Sequence, residues 1–364
     1  MINDMNLVSV LLALVAALAM SFAATPIVKI FAEKVGAMDI PDEKRRIHDH
    51  PIPRLGGLAI FLGFILSVVL FADITPQLQG ILLGAIIIVA IGALDDIVNM
   101  RAWAKFLVQI FAAGIAVYHG VRIENLMNPF FWTNMDHIAL GIFSTPVTIL
   151  WIVAITNSVN FIDGLDGLAV GVSAIDSVTM LIIALLVADS NVAIVLAALA
   201  GACIGFMPYN MNPARIFMGD TGALLLGYIL ATISVMGLFK FYAVISFAVP
   251  FLVLAVPLFD TVFAFFRRIL KGQNPMVADR GHVHHRLLNI GLSQKHAVAI
   301  LYSISATLGL AAVVITTSGE LKVLIFVIAL TLAAIIGVFS MRSVINGNHS
   351  GASDGEGKNK NERN

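Results

Sequence analysis

Repeated apolar stretches, each about 17–27 residues long, constrain this chain more than any other feature. They fall at roughly 5–31, 55–72, 80–97, 103–120, 146–162, 168–187, 191–209, 220–238, 242–268, 296–317 and 321–341. At about 1.5 Å per helical residue, each can cross about 30 Å of hydrocarbon. Of the 364 residues, 59% are hydrophobic and only 12% charged, with a mean hydropathy of +0.95. That balance excludes an ordinary soluble domain. The expected fold is all-α: a polytopic bundle of about eleven transmembrane helices over residues 1–345. The remaining 346–364 is mostly Gly, Ser, Asn, Lys and Glu, with almost nothing apolar, and is expected to be a disordered tail, because it can bury too little to offset ordering.

Lys and Arg orient the bundle. Arg122, Lys240 and Lys322 fall in one set of alternate connections, and the other 19 of the 22 basic residues fall on the opposite side. The positive-inside rule makes that richer side cytoplasmic, with the amino terminus outside and the carboxyl terminus inside. The first stretch lacks a basic leader and is expected to remain as a span. The single cysteine, Cys203, lies in an apolar run, so no disulfide or thiolate metal site forms within one chain. The 121–145 connection carries Pro129, Phe130, Phe131 and Trp132, which suit a membrane interface.

Four polar clusters interrupt the apolar background, all on the expected cytoplasmic side. Asp95-Asp96 closes the third stretch, where the helix dipole is already negative, so a cation is needed nearby. Lys105 is the nearest in sequence, and the pair is open to roles as metal site, substrate site, base or simply a wetted helix end. From Asn157 through Asn160 and Asp163 to Asp166, polar groups recur every third residue along one helix flank. Gly164 and Gly167 then permit a tight turn. Asn and Asp oxygens are hard ligands of the kind Mg²⁺ takes. Met218-Gly219-Asp220-Thr221-Gly222 opens the eighth stretch. There Asp220 can cap the helix or hold a metal that bridges phosphates. Asp279-Arg280-Gly281-His282-Val283-His284-His285-Arg286 offers Arg and His donors for a diphosphate. Lys44, Arg45, Arg46, His48 and Arg54 in the first cytoplasmic loop suit lipid headgroups or a lipid phosphate. Asp260 and Asp176 lie within spans, where a carboxylate needs a partner.

In this order, from Pro53-Arg54-Leu55-Gly56-Gly57 to His285, the clusters resemble the polyprenyl-phosphate N-acetylhexosamine-1-phosphate transferases (glycosyltransferase family 4). The resemblance covers nearly the whole chain. His282-Val283-His284-His285-Arg286 and His48-Asp49-His50-Pro51-Ile52-Pro53-Arg54 are similar to the branch acting on N-acetylglucosamine-1-phosphate. The peptidoglycan branch instead carries three consecutive histidines followed by Phe-Glu. The resemblance implies a bacterial cytoplasmic-membrane enzyme that transfers N-acetylglucosamine-1-phosphate from a UDP-sugar donor to undecaprenyl phosphate. That would be the first membrane step of teichoic acid, O-antigen or lipopolysaccharide-type glycans. It implies Asp95, Asp96, Asp163 and Asp166 as catalytic carboxylates and Asn160 and Asp220 as Mg²⁺ ligands, with Mn²⁺ able to substitute. Lys105, Asn157, Arg280, His282, His284, His285 and Arg54 would contact substrate. The partners are then the two substrates and membrane lipid, with no nucleic acid. Nothing specifies a dimer surface, and a homodimer stays open.

Three alternatives remain at this level. A transporter would place polar sites near the bilayer midplane, whereas here the ionisable groups collect at one surface. A CDP-alcohol phosphotransferase would want Ala-Arg soon after Asp-Gly, where this chain has Leu168-Ala169-Val170. The peptidoglycan branch, acting on UDP-MurNAc-pentapeptide, is the nearest rival.

Overall fold

The computed structural model describes residues 7–40, 50–127, 137–187, 189–238, 248–270 and 282–317. Twelve α-helices account for most of these residues: α1 (Leu7–Val35), α2 (Gly57–Phe71), α3 (Pro76–Val98), α4 (Ala102–Tyr118), α5 (Ser144–Ile162), α6 (Leu168–Leu186), α7 (Ser190–Asn210), α8 (Gly219–Ile233), α9 (Ala248–Val253), α10 (Ala255–Leu270), α11 (Val283–Asn289) and α12 (Gln294–Thr316). Among the described residues, seven helical segments are long and apolar enough to cross a membrane, and α2 and α4 are shorter apolar helices. The molecule is an all-helical polytopic membrane protein. The eleventh expected stretch, 321–341, and the tail lie outside the described residues.

Helix ends follow local chemistry. Pro76 sits in the first turn of α3, where its missing N–H costs nothing, and the Thr75 side chain accepts from the Leu78 amide. Asn99, in the left-handed region with φ +52°, ends that helix. The Asp189 side chain accepts from the Val192 amide to cap α7. The Ser293 hydroxyl caps α12 in the same way, accepting from His296.

Packing places α8 at the centre. It contacts α2, α3, α5 and α6, and all its residues but Asp220 are buried. A helix apolar all round belongs in such a position. Around it α1 packs against α2 and α7, and α6 against α7 and α12. On α7, a Cβ at Gly201 or Gly205 would stand 2.2 or 2.3 Å from the Leu14 or Leu18 carbonyl oxygen. The absence of side chains at this four-residue spacing lets α1 and α7 touch along their backbones, the usual device where lipid supplies no hydrophobic drive.

Two features depart from the sequence expectation. The stretch 242–268 is not one helix: its described part breaks at Leu254 into α9 and α10. Pro257 has no N–H to offer the Val253 carbonyl, so the ladder fails there. Two short ribbons, which no sequence pattern announces, also accompany the helices without changing the all-helical class. Strands β1 (Met38–Asp39) and β2 (Ile52–Pro53) pair antiparallel, as do β3 (Asn125–Met127) and β4 (His137–Ala139). The β2 ribbon continues onto the segment before α8. Phe217 N–H donates to the Pro53 carbonyl, while Gly56 N–H donates to Phe217 and Gly57 N–H to Met218. This docking carries Arg54 to the amino end of the central helix.

Candidate active site

Antiparallel packing brings the carboxyl ends of α3, α5 and α7 together with the amino ends of α4, α6, α8 and α12. The polar clusters meet there. A cleft of about 480 Å³ opens among them. Of the residues expected from sequence, Arg54, Asn160, Asp163, Asp166, Asp220 and His285 line it.

Asp220 is the hub. Its Oδ2 lies 2.6 Å from Lys105 Nζ, and its Oδ1 accepts from Asn160 Nδ2 at 3.2 Å. Lys105 also reaches Asp95 Oδ2 at 3.0 Å. Thus Lys105 is the cation that the α3 carboxyl end requires, and it bridges two carboxylates from different helices. The Asp95 Oδ1 accepts from the Met100 amide at 2.7 Å.

Asp96, one residue on, does something different. Its oxygens accept from the Asp220 and Thr221 amides, each at 3.0 Å, and from the Thr221 hydroxyl at 2.6 Å. Arg54 Nη2 stands 3.4 Å from the same carboxylate. A buried carboxylate here satisfies amides that the first turn of α8 leaves without helical partners. Adjacent residues on a helix point about 100° apart, which is why the pair divides its work. Neither Asp95 nor Asp96 lines the cleft; they stand behind Asp220 and hold it.

Asp163 follows the last turn of α5 and lines the cleft. Desolvation, and then repulsion from Asp220 and Asp96, pushes its carboxyl up to about 8. Asp166 accepts from Asn212 Nδ2 at 2.9 Å and from the Ala214 amide at 3.0 Å, which ties the α5–α6 turn to the loop before α8. Gln294 accepts from the same Asn212 nitrogen at 2.9 Å and also lines the cleft. Asn210 accepts from the Gly167 amide and donates to the Ile216 carbonyl.

The histidine segment divides as well. His282 Nδ1 lies 2.9 Å from Asp260 Oδ2, and the Val283 amide donates to Asp260 Oδ1 at 2.8 Å. Asp260 thereby has the partner that its place in an apolar helix demands. His284 is buried, and burial followed by its neighbour His285 holds its pKa down to about 4. It fills the space above Gly164, where a Cβ would lie 2.4 Å from its Nε2. Of the three rings only His285 lines the cleft. Asp279 and Arg280 lie outside the described residues. Asp176 is tied to α12 by the Ser305 hydroxyl at 2.8 Å, a link between helices far from the cleft residues.

Asn157 faces elsewhere. Its Nδ2 donates to Gln109 of α4, a residue only 2% exposed, and to the Val153 carbonyl. It does not line the cleft. Asn157→Ala would strand the Gln109 amide in the α4–α5 contact, with an expected loss of about 1–3 kcal/mol. A lowered apparent melting temperature in detergent would report it, and unaltered melting would refute this packing role. Sequence reading missed Gln109 and Gln294, and gave Thr221 no role although it stands in the 218–222 motif. No local pattern marks the two glutamines, whose partners lie 48 and 82 positions away.

The arrangement suits a phosphorylated ligand. Hard oxygen donors from Asn160, Asp163 and Asp220 face one space, with Arg54 and His285 also lining it, while Lys105, expected to contact substrate, does not line it and is held between Asp95 and Asp220. Among the described residues no three His, Cys, Asp or Glu side chains are grouped closely enough to hold a metal ion alone. Mg²⁺ does not require such a cage, since it commonly takes one or two carboxylates and completes its shell with water and substrate phosphate. The donor set therefore fits Mg²⁺.

Fold and cleft together define a helical membrane protein with an acidic, cation-ringed site at one end of its bundle. The family profile described as Glycosyl transferase family 4 matches residues 78–238. The chain is 39% identical to a probable undecaprenyl-phosphate N-acetylglucosaminyl 1-phosphate transferase of Bacillus subtilis, over 86% of this chain and 87% of that one. It is 36% identical to a decaprenyl-phosphate N-acetylglucosaminephosphotransferase of Mycolicibacterium smegmatis, over 78% and 76%. A phospho-N-acetylmuramoyl-pentapeptide-transferase of Heliobacterium modesticaldum is 38% identical, but over only 50% of this chain and 60% of its own. The chain belongs to glycosyl transferase family 4, a membrane transferase family.

Proposed function

We propose that this protein transfers N-acetylglucosamine-1-phosphate from UDP-N-acetylglucosamine to undecaprenyl phosphate, forming a lipid-diphosphate sugar and UMP. The carrying observation is the convergence of Asp220, Asn160 and Asp163 on one polar cleft at the end of an apolar bundle. The two relatives matched over most of their length, both named for N-acetylglucosamine phosphate transfer, favour this donor over the pentapeptide one.

In the proposed reaction a phosphate oxygen of the lipid attacks the β-phosphorus of the donor. The bond from that phosphorus to the bridging oxygen breaks, and UMP departs with the electron pair. A lipid monophosphate has its second pKa near 6, by analogy with other phosphate monoesters, so little proton remains for a base to remove near neutrality. The Asp95–Lys105–Asp220 chain then serves to hold a charge and a geometry. Lys105 keeps two carboxylates in place, and Arg54 and His285 can meet phosphate oxygens. Fixing two anionic reactants in line supplies much of the rate. Asp220, Asn160 and Asp163 would hold Mg²⁺, which supplies charge neutralisation on the diphosphate when bound.

The cleft is proposed to face the cytoplasm of a bacterial cell, with eleven spans and the amino terminus outside. The support is that Arg54, Arg101, Lys105 and Arg215 all lie at its end of the bundle. Cysteine labelling at Arg101 should occur only from the inner side of membrane vesicles. Labelling from the outer side would reverse the orientation.

The decisive assay mixes purified protein, undecaprenyl phosphate and Mg²⁺ with either UDP-N-acetylglucosamine or UDP-MurNAc-pentapeptide, and follows UMP. Turnover is expected only with the first donor. Turnover only with the second would move the chain to the peptidoglycan branch. Chelation with EDTA is expected to abolish turnover and added Mg²⁺ to restore it. Unimpaired turnover in EDTA would remove the metal from this reading.

A further inference from the structure

A second cavity, about 360 Å³, lies between the polar ends of α1 and α7, away from the active-site cleft. Its lining includes Pro26, Lys29, Ile30, Glu33, Tyr209 and Arg215. None of these residues lines the active-site cleft. Lys29 is half-buried and Arg215 exposed, and neither makes an ion pair among the described residues. Glu33, one helical turn beyond Lys29, is the one acidic residue in the lining, so the cavity keeps a net positive charge.

The cavity also has a wall suited to hydrocarbon. Pro26 and Ile30 form one side, and Ile27, Ile30 and Phe31 of the same stretch of α1 are 70%, 54% and 48% exposed. In a membrane-spanning helix such exposure faces acyl chains. The Tyr209 ring packs against Phe22, with centroids 5.2 Å apart, and so sits on α1 at this border. Two cations that make no ion pair among the described residues, beside an acyl-facing surface, match one ligand chemistry, a phosphate headgroup with lipid tails.

We propose that this groove binds the phosphate of an anionic membrane phospholipid, and that the bound lipid steadies the 211–218 loop. That loop has two faces. The Arg215 amide donates to the Tyr209 carbonyl at 2.8 Å, and the Arg215 side chain lines the groove. On its other face Asn212, Pro213, Ala214 and Phe217 line the active-site cleft, with Asn212 and Ala214 bound to Asp166. Lipid on Arg215 therefore braces a wall of the cleft. Lipid binding stands independently of the reaction proposed above, whereas an effect on turnover rests on that reading.

Native mass spectrometry of delipidated protein in detergent, titrated with phosphatidylglycerol or phosphatidylcholine, tests the proposal. Phosphatidylglycerol is expected to bind more tightly. The double variant Lys29→Gln, Arg215→Gln should weaken it roughly 30-fold, about fivefold for each cation. Lys29→Arg, Arg215→Lys should keep it, which separates charge from folding damage. Equal binding of both lipids, or undiminished binding in the Gln variant, overturns the site. Displacement by water-soluble glycerophosphate at equal concentration would overturn the need for tails. Displacement by undecaprenyl phosphate at equal concentration would assign the groove to the acceptor instead. In nanodiscs, added phosphatidylglycerol should raise UMP release by the wild type and not by the Gln variant. If binding follows the variants but UMP release does not, the bracing is wrong and the site stands.

Discussion

Asp220→Ala is expected to lower turnover on the order of 100-fold or more while leaving the fold in place. Asp220 is the only residue of α8 that is not buried, so the side chain can be removed without opening the core. Its carboxylate is also the one on which Lys105 and Asn160 both converge. Truncation removes a negative charge from the pocket, frees Lys105 to pair with Asp95 alone and deletes a proposed Mg²⁺ donor. Asp220→Asn keeps the shape but loses the charge and one of the two acceptor oxygens that Lys105 and Asn160 use, and should lose nearly as much. UMP release at saturating donor, with the apparent melting temperature as a fold control, reads both. Full turnover in Asp220→Ala would rule out its place as a metal donor.

Gly219→Ala should damage the protein itself. Gly219 has φ +68°, where a side chain costs about 1–2 kcal/mol. A Cβ there would also stand 2.3 Å from Asp96 Oδ2. That carboxylate has little freedom to move, being held by two amides and a hydroxyl of α8 and faced by Arg54. Displacing it strands charge-assisted bonds of about 1.5–3 kcal/mol each. The expected total is about 3–5 kcal/mol, seen as a collapse in the yield of monodisperse protein. Gly291→Ala is the control. It also has positive φ, at +93°, but a Cβ there meets nothing within 4 Å, so it isolates the conformational cost. If the two variants melt alike, the contact with Asp96 is not holding α8.

Much of this was legible in one dimension. Apolar length alone marks the spans, because a membrane imposes its thickness on any helix that crosses it. Alternation of helix direction then sends the ends of odd and even spans to a common surface, so clusters at 95–96, 157–166 and 220 must share one end of the bundle. The ninth stretch escaped this logic, since Pro257 breaks the ladder of a segment that is still mostly apolar. Two short ribbons escaped it too, and one of them delivers Arg54.

The sequence by itself determined the class of protein, the residues available for chemistry and the end of the bundle at which they gather. Only the tertiary structure decided which atom meets which. It turned Asp95 to Lys105 and Asp96 to the amides of α8. It set Asn157 on Gln109, buried His284 under the α5–α6 turn and brought Gln294 to the cleft. The physical reason is that helix formation depends on nearby residues, whereas the rotation of each helix about its axis depends on the side chains of the helices packed against it. Hydrogen bonds are directional over a few tenths of an ångström, so their partners are chosen by that packing.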